Sequence, residues 1–197
     1  IYGFTAVGFS MLLTPFVGIW IGDTGKTLAF SVVICILIDY YFKGDRIVLS
    51  NFKTAAGVFE QDKYLALIQG GVNLVISIVL VQKIGLMGVY IGTIVSGLIA
   101  NVTKPVIIYK VILQQPVKKY FVDSLKYLAA VAVNFAVLSG IKTVVMPEVT
   151  VISFGVMFVI VCVVFNASFL ALFGRTEECG YLWGIVRNRA AGNKKRL

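Results

Sequence analysis

The chain contains no histidine, which removes the commonest general base at neutral pH and the commonest metal ligand. It has three cysteines, Cys35, Cys162 and Cys179, and no C-x-x-C spacing among them. Cys35 and Cys162 lie in apolar segments and read as small hydrophobes. No low-complexity tract and no Ser/Pro-rich linker divides the chain, so it reads as one domain. Residues 1–21 lack the basic flank and small-residue cleavage site of a signal peptide. The first residue is Ile1 rather than Met and an apolar segment starts at once, so an upstream part is expected.

Apolar residues are what the chain has in excess. They make up 59% of 197 residues, with mean hydropathy +0.93, more than a soluble domain usually carries. A helix of ~20 apolar residues crosses ~30 Å of hydrocarbon. Six such spans are expected, at 1–21, 26–59, 64–83, 85–113, 120–145 and 149–173. These runs are too long and too uniformly apolar for the alternating strands of a membrane barrel. The expected fold is an all-α, polytopic membrane helix bundle. Residues 1–113 would form four spans and 120–173 a terminal helix pair. A basic tail would follow at 174–197.

The 18 basic residues divide unevenly between the gaps. Lys26, Lys83 and Lys142 are the 3 in odd-numbered gaps. The other 15 fall at 43–63, 104–126 and 175–196. A split of 15 to 3 is a strong positive-inside signal, so the even gaps and the C-terminus are expected in the cytoplasm of a bacterial inner membrane. The same rule accounts for the net charge of +9. Anionic headgroups suit the basic tail, and no separate soluble domain presents these residues to a nucleic acid.

Polar residues inside the spans mark candidate functional positions. On an unbroken helix, Asp39, Lys43, Arg46, Ser50 and Lys53 form one stripe at steps of four and three. A helix over 26–59 would measure ~50 Å, longer than the bilayer core, and would project from it. Three cations on such a stripe suit an anionic headgroup, and the arginine fork suits phosphate. The other reading ends the helix near Phe42, with Gly44 as the break and an interfacial helix after it. Val48, Phe52, Ala55 and Phe59 would be that helix's apolar face. Asp39 is the deepest acid, a gating or coupling partner or else the ion-pair partner of Lys43. Gln69, Asn73 and Ser77 share a face of span three, and Gly88, Gly92, Ser96, Ala100 and Lys104 a face of span four. Facing stripes of this kind mean helix packing. Lys104 can snorkel to the interface, and Pro105 should kink the helix. Asn134, Ser139, Ser153 and Asn166 read as packing residues.

The segments YFKGDR (41–46), FKTAAGVFEQDKY (52–64), NLVISIVL (73–80), GLMGVYIGT (85–93) and PVIIYK (105–110) together carry a resemblance. In order and spacing the chain resembles the C-terminal half of bacterial polysaccharide flippases. These Wzx-like exporters of O-antigen and exopolysaccharide units belong to the multidrug/oligosaccharidyl-lipid/polysaccharide exporter superfamily. The resemblance implies the second lobe of a two-lobed transporter that opens alternately to each side. The implied cargo is an undecaprenyl-pyrophosphate-linked oligosaccharide, moved from the cytoplasmic to the outer leaflet. Arg46, Lys53 and Lys43 would meet the pyrophosphate, and Asp39, Gln69 and Lys104 would gate or couple. Relatives often carry acids where Gln69 and Lys104 stand, so coupling or cargo should differ here. No enzymatic activity and no cofactor is expected, with H+ or Na+ as coupling ion. The implied partners are the lipid-linked cargo, membrane lipids, and the polysaccharide polymerase and chain-length machinery. A multidrug cation antiporter of the same fold would prefer acids in its cavity. A membrane-embedded glycan polymerase or glycosyltransferase would need a large outer loop, and the outer gaps here are short.

Overall fold

Hydrocarbon offers backbone groups no water, so each must find its partner within its own segment. The computed structural model accordingly is all-helical, with no strand among the described residues, which are 1–22, 30–58, 60–177, 179–181 and 183–185. Among the described residues six α-helices follow one another: α1 (Tyr2–Ile21), α2 (Phe30–Ala55), α3 (Glu60–Ile84), α4 (Leu86–Ile108), α5 (Lys118–Val145) and α6 (Val151–Phe173). Among the described residues five stretches are long and apolar enough to cross a membrane: Tyr2–Ile21, Lys63–Ile84, Leu86–Leu113, Lys118–Val145 and Val151–Phe173. The helix outside that group is α2, which carries Asp39, Lys43, Asp45, Arg46 and Lys53. Residues 26–29 of the expected second span lie outside the described residues, as do Lys26, Phe59 and the basic residues from Arg187 onward.

α2 runs unbroken through Gly44. Gly44 is buried, and the ring of Tyr2 from α1 packs on its Cα where any Cβ would overlap. This glycine therefore serves close helix contact rather than a break. The helix stops at Ala55, short of Phe59, and the reason is local. Gly57 takes φ +69°, its N–H bonds the Thr54 carbonyl at 3.2 Å, and the Val58 N–H bonds that of Lys53 at 3.3 Å. That is a Schellman closure, in which glycine enters the left-handed region without penalty. Val48 and Phe52 remain 70% and 45% exposed, so the apolar face of this lower half is turned outward.

α3 and α4 form a tight antiparallel hairpin around Gly85, at φ +62°. Cβ atoms at Gly88 and Gly92 would collide with the Leu80 and Val81 backbone and with Ser77 on α3. The Ser77 hydroxyl in turn donates to Asn73 Oδ1 at 3.0 Å. α4 continues through the buried Pro105 and widens into a π-helical turn, Tyr109–Leu113, rather than ending there. The Tyr109 N–H reaches both the Pro105 and Val106 carbonyls. A left-handed Gln114, φ 49°, closes the turn.

α4 also packs along α2, α2 along α1, and α1 against both α5 and α6. Cross-helix contacts fix the ends. Tyr2 meets Tyr40 at 5.1 Å, Lys104 bonds Ser50, Tyr120 bonds Asp45, and Tyr127 meets Phe173 at 4.6 Å. The start of α1, the second half of α2, the end of α4, the start of α5 and the end of α6 therefore share one end of the bundle. The described basic residues crowd this end, whereas Lys83 and Lys142 stand at the other, closing α3 and α5.

Candidate functional site

The seam between α2 and α4 collects the charged side chains. Because α2 is continuous, Asp39, Lys43, Arg46, Ser50 and Lys53 do share one stripe. Asp39 and Lys43, one turn apart, form an ion pair of 2.6 Å. The Asp39 side chain is 14% exposed and that of Lys43 55%, so the acid is tucked in and the ammonium faces out. Arg46 crosses to α4. Its Nη1 donates to the Gly97 carbonyl at 2.7 Å and to Asn101 Oδ1 at 3.0 Å. Asn101 returns a bond, its Nδ2 donating to the Phe42 carbonyl at 3.2 Å. One turn further, Lys104 Nζ donates to Ser50 Oγ at 3.2 Å. Lys53 is 7% exposed and also engaged.

Gly97 is what lets the charges meet the helix. A methyl group there would stand 3.2 Å from Arg46 Nη1 and 3.8 Å from Asp39 Oδ1. The guanidinium and the carboxylate thus converge over the same bare Cα. Exposing the α4 carbonyl to a fork of N–H donors needs a residue without a side chain at that point.

Of the residues singled out from the sequence, Asp39, Arg46 and Lys104 meet in the seam, and Lys43 and Lys53 share their stripe on α2. Gln69 lies elsewhere, on α3 one turn before Asn73, with no hydrogen bond to the seam among the described residues. Gly88, Gly92, Asn73 and Ser77 lie where α3 meets α4. Sequence reasoning passed over Gly97 and Asn101. Their spacing of four, one position off the Gly92–Ser96–Ala100 row, was the available signal. It also passed over Asp45, whose Oδ2 accepts from Tyr120 at 3.1 Å and Ser124 at 2.9 Å and so ties α2 to the start of α5.

What the seam can do chemically follows from its donors. The Arg46 fork has five N–H groups, and Nη1 alone is committed to α4 among the hydrogen bonds described. With Lys43 beside it, the edge of the seam presents cations to an anion arriving between helices. Comparison with family models, with curated proteins and with solved structures finds no match to this chain.

Proposed function

We propose that the chain is the second lobe of a flippase that moves an undecaprenyl-pyrophosphate-linked oligosaccharide from the cytoplasmic to the outer leaflet of a bacterial inner membrane. The observation that carries this reading is the α2 stripe. Cations and an acid follow one face of a continuous helix within an otherwise apolar bundle. Ionisable groups at membrane depth are expensive and are usually retained for transport. A cationic cargo, as in a multidrug antiporter, would be repelled by this stripe. The crowding of bases at one end of the bundle supports a cytoplasmic placing of that end. α2 then serves as a sixth spanning helix whose second half projects toward the cytoplasm.

The proposed mechanism is an exchange of partners. Without cargo, Asp39 holds Lys43, and α4 holds Nη1 of Arg46. A pyrophosphate entering beside α2 draws Lys43 from Asp39 and takes the uncommitted donors of Arg46 in a bidentate grip. Rocking of the two lobes then carries the headgroup across, as repeat-built transporters do around a site where the lobes meet. Asp39 recaptures Lys43 when the cargo leaves. Gln69 and Lys104 are assigned to gating or coupling, with H+ or Na+ as the ion.

The test is glycan export in cells carrying the full-length protein. Arg46→Ala should lower surface glycan by about tenfold or more, the scale of one lost charge-assisted contact, with membrane insertion unchanged. Arg46→Lys should recover only part, because an ammonium lacks the fork. Normal surface glycan in Arg46→Ala, or efflux of a cationic dye by the wild type, overturns the reading.

A further inference from the structure

At the end of the bundle away from the basic residues, a cavity of about 500 Å³ opens between α1, the start of α2 and the last turn of α5. Pro15, Ile19, Phe30 and Met146 supply apolar wall, and Thr14 and Lys142 supply polar groups. Neither polar group has a partner among the described residues. Thr5, Thr54, Thr93, Thr103 and Thr143 each donate to a carbonyl of the preceding helical turn. Among the described helical threonines, Thr14 alone has no hydrogen bond. Lys142 is partly buried and has no acid or hydrogen-bond partner among the described residues. Lys83, Lys110, Lys118 and Lys119 have no acid beside them either among the described residues, but they are exposed to the surroundings, whereas Lys142 is partly covered.

From this pairing of a half-buried ammonium and a hydroxyl, both free of hydrogen bonds to the described residues and both lining one apolar-walled cavity, we infer a second anion site, which takes the phosphodiester of a membrane lipid. An ammonium offers three N–H donors and the threonine a fourth. Two anionic phosphodiester oxygens can share them. The cavity is far larger than a single ion requires, and its walls would accept glycerol and the first methylenes of acyl chains. A free, hydrated phosphate gains nothing from such walls. The site is separate from the seam. Lys142 lies 22 residues along α5 from Tyr120, which bonds Asp45 next to Arg46. That is ~33 Å of helix, the thickness of a hydrocarbon core. The two sites thus stand at opposite membrane surfaces, and the second does not depend on the nature of the cargo.

Native mass spectrometry of the detergent-purified chain tests this. Three probes are compared: phosphatidylglycerol, diacylglycerol and inorganic phosphate. Wild type should retain one phosphatidylglycerol against dilution and no diacylglycerol. Lys142→Gln and Thr14→Val should each lower that retention by about tenfold, as expected for a charge-assisted bond, and Lys142→Arg should keep it. Thr14→Val is nearly isosteric and keeps the question open to answer if Lys142→Gln does not fold. Equal retention of diacylglycerol, or retention untouched by Thr14→Val and Lys142→Gln, sinks the site. Displacement by millimolar inorganic phosphate overturns the lipid as its occupant.

Discussion

Two regions of this bundle are held together by different means. Where α1, α5 and α6 meet, the contact is a dry cluster of Val7, Met11, Leu138, Met157, Val161 and Phe165, the last packed edge-on against Phe4 at 5.5 Å. Where α2 meets α4, the contact is a ladder of Arg46, Asn101, Gly97, Lys104 and Ser50. In water the first region would dominate stability through hydrophobic transfer. In lipid, the tails are as apolar as the side chains, so only packing remains in its favour. The seam gains more from lipid, because unsatisfied donors there have no water to turn to. The difference teaches what each region is for. The dry cluster fixes shape, and the seam fixes register while leaving charges that, under the proposed function, a cargo would claim.

The sharpest way to break that comparison is to hollow the dry side. Met157 and Leu138 are fully buried. Met157→Ala should cost about 2 kcal/mol, mostly the cavity contribution, because the transfer part is reduced in a membrane. Thermal unfolding in detergent reads this as a lower midpoint. A cost near zero would mean the three-helix cluster is plastic and the contrast with the seam is false.

A second, smaller effect sharpens the seam. Asn101 is 9% exposed and holds both Arg46 and the Phe42 carbonyl. Asn101→Ala should cost about 1 to 1.5 kcal/mol, toward the upper range of interhelical polar contacts in membranes. A double-mutant cycle with Arg46→Met should show coupling of at least ~0.5 kcal/mol, whereas Arg46→Met and Met157→Ala should add. Additivity in the first pair would dissolve the ladder into independent contacts.

The sequence made the helices legible because membrane spans announce themselves by length and apolarity alone. The stripe from Asp39 to Lys53 was legible too, given a helix without a break. Whether that helix continued was open, because Gly44 permits either outcome until Tyr2, 42 residues away, is seen to fill the space above it. The partners across the seam were not legible. Arg46 and Asn101 are 55 residues apart, and Asp45 and Ser124 are 79 apart. Helical periodicity gives the face a residue occupies but not the helix that face will meet. The Schellman end of α2 shows the reverse case. Gly57 carried the stop signal in the sequence, and the apolar spacing through Phe59 obscured it.

The smallest effect decides whether polarity by itself sets the two regions apart. The dry side holds one buried amide, Asn134, 3% exposed. Its Nδ2 donates to the Ala130 carbonyl at 2.9 Å within α5, and its Oδ1 accepts from Ser168 of α6 at 2.6 Å. Ser168→Ala removes the only cross-helix half of that arrangement. The expected cost is ~0.6 kcal/mol, the average for a neutral hydrogen bond between membrane helices. Asn101 holds two partners across the seam, the Phe42 carbonyl and a guanidinium, and charge assistance strengthens the second bond. The measured ratio of Asn101→Ala to Ser168→Ala in the same unfolding assay should therefore be about two. A ratio near one would mean that the two cross-helix bonds of Asn101, one of them from the Arg46 guanidinium, add no more than a single serine hydroxyl. Arg46 would then be held no more tightly than a serine, and the exchange of partners proposed for cargo entry would lose its switch.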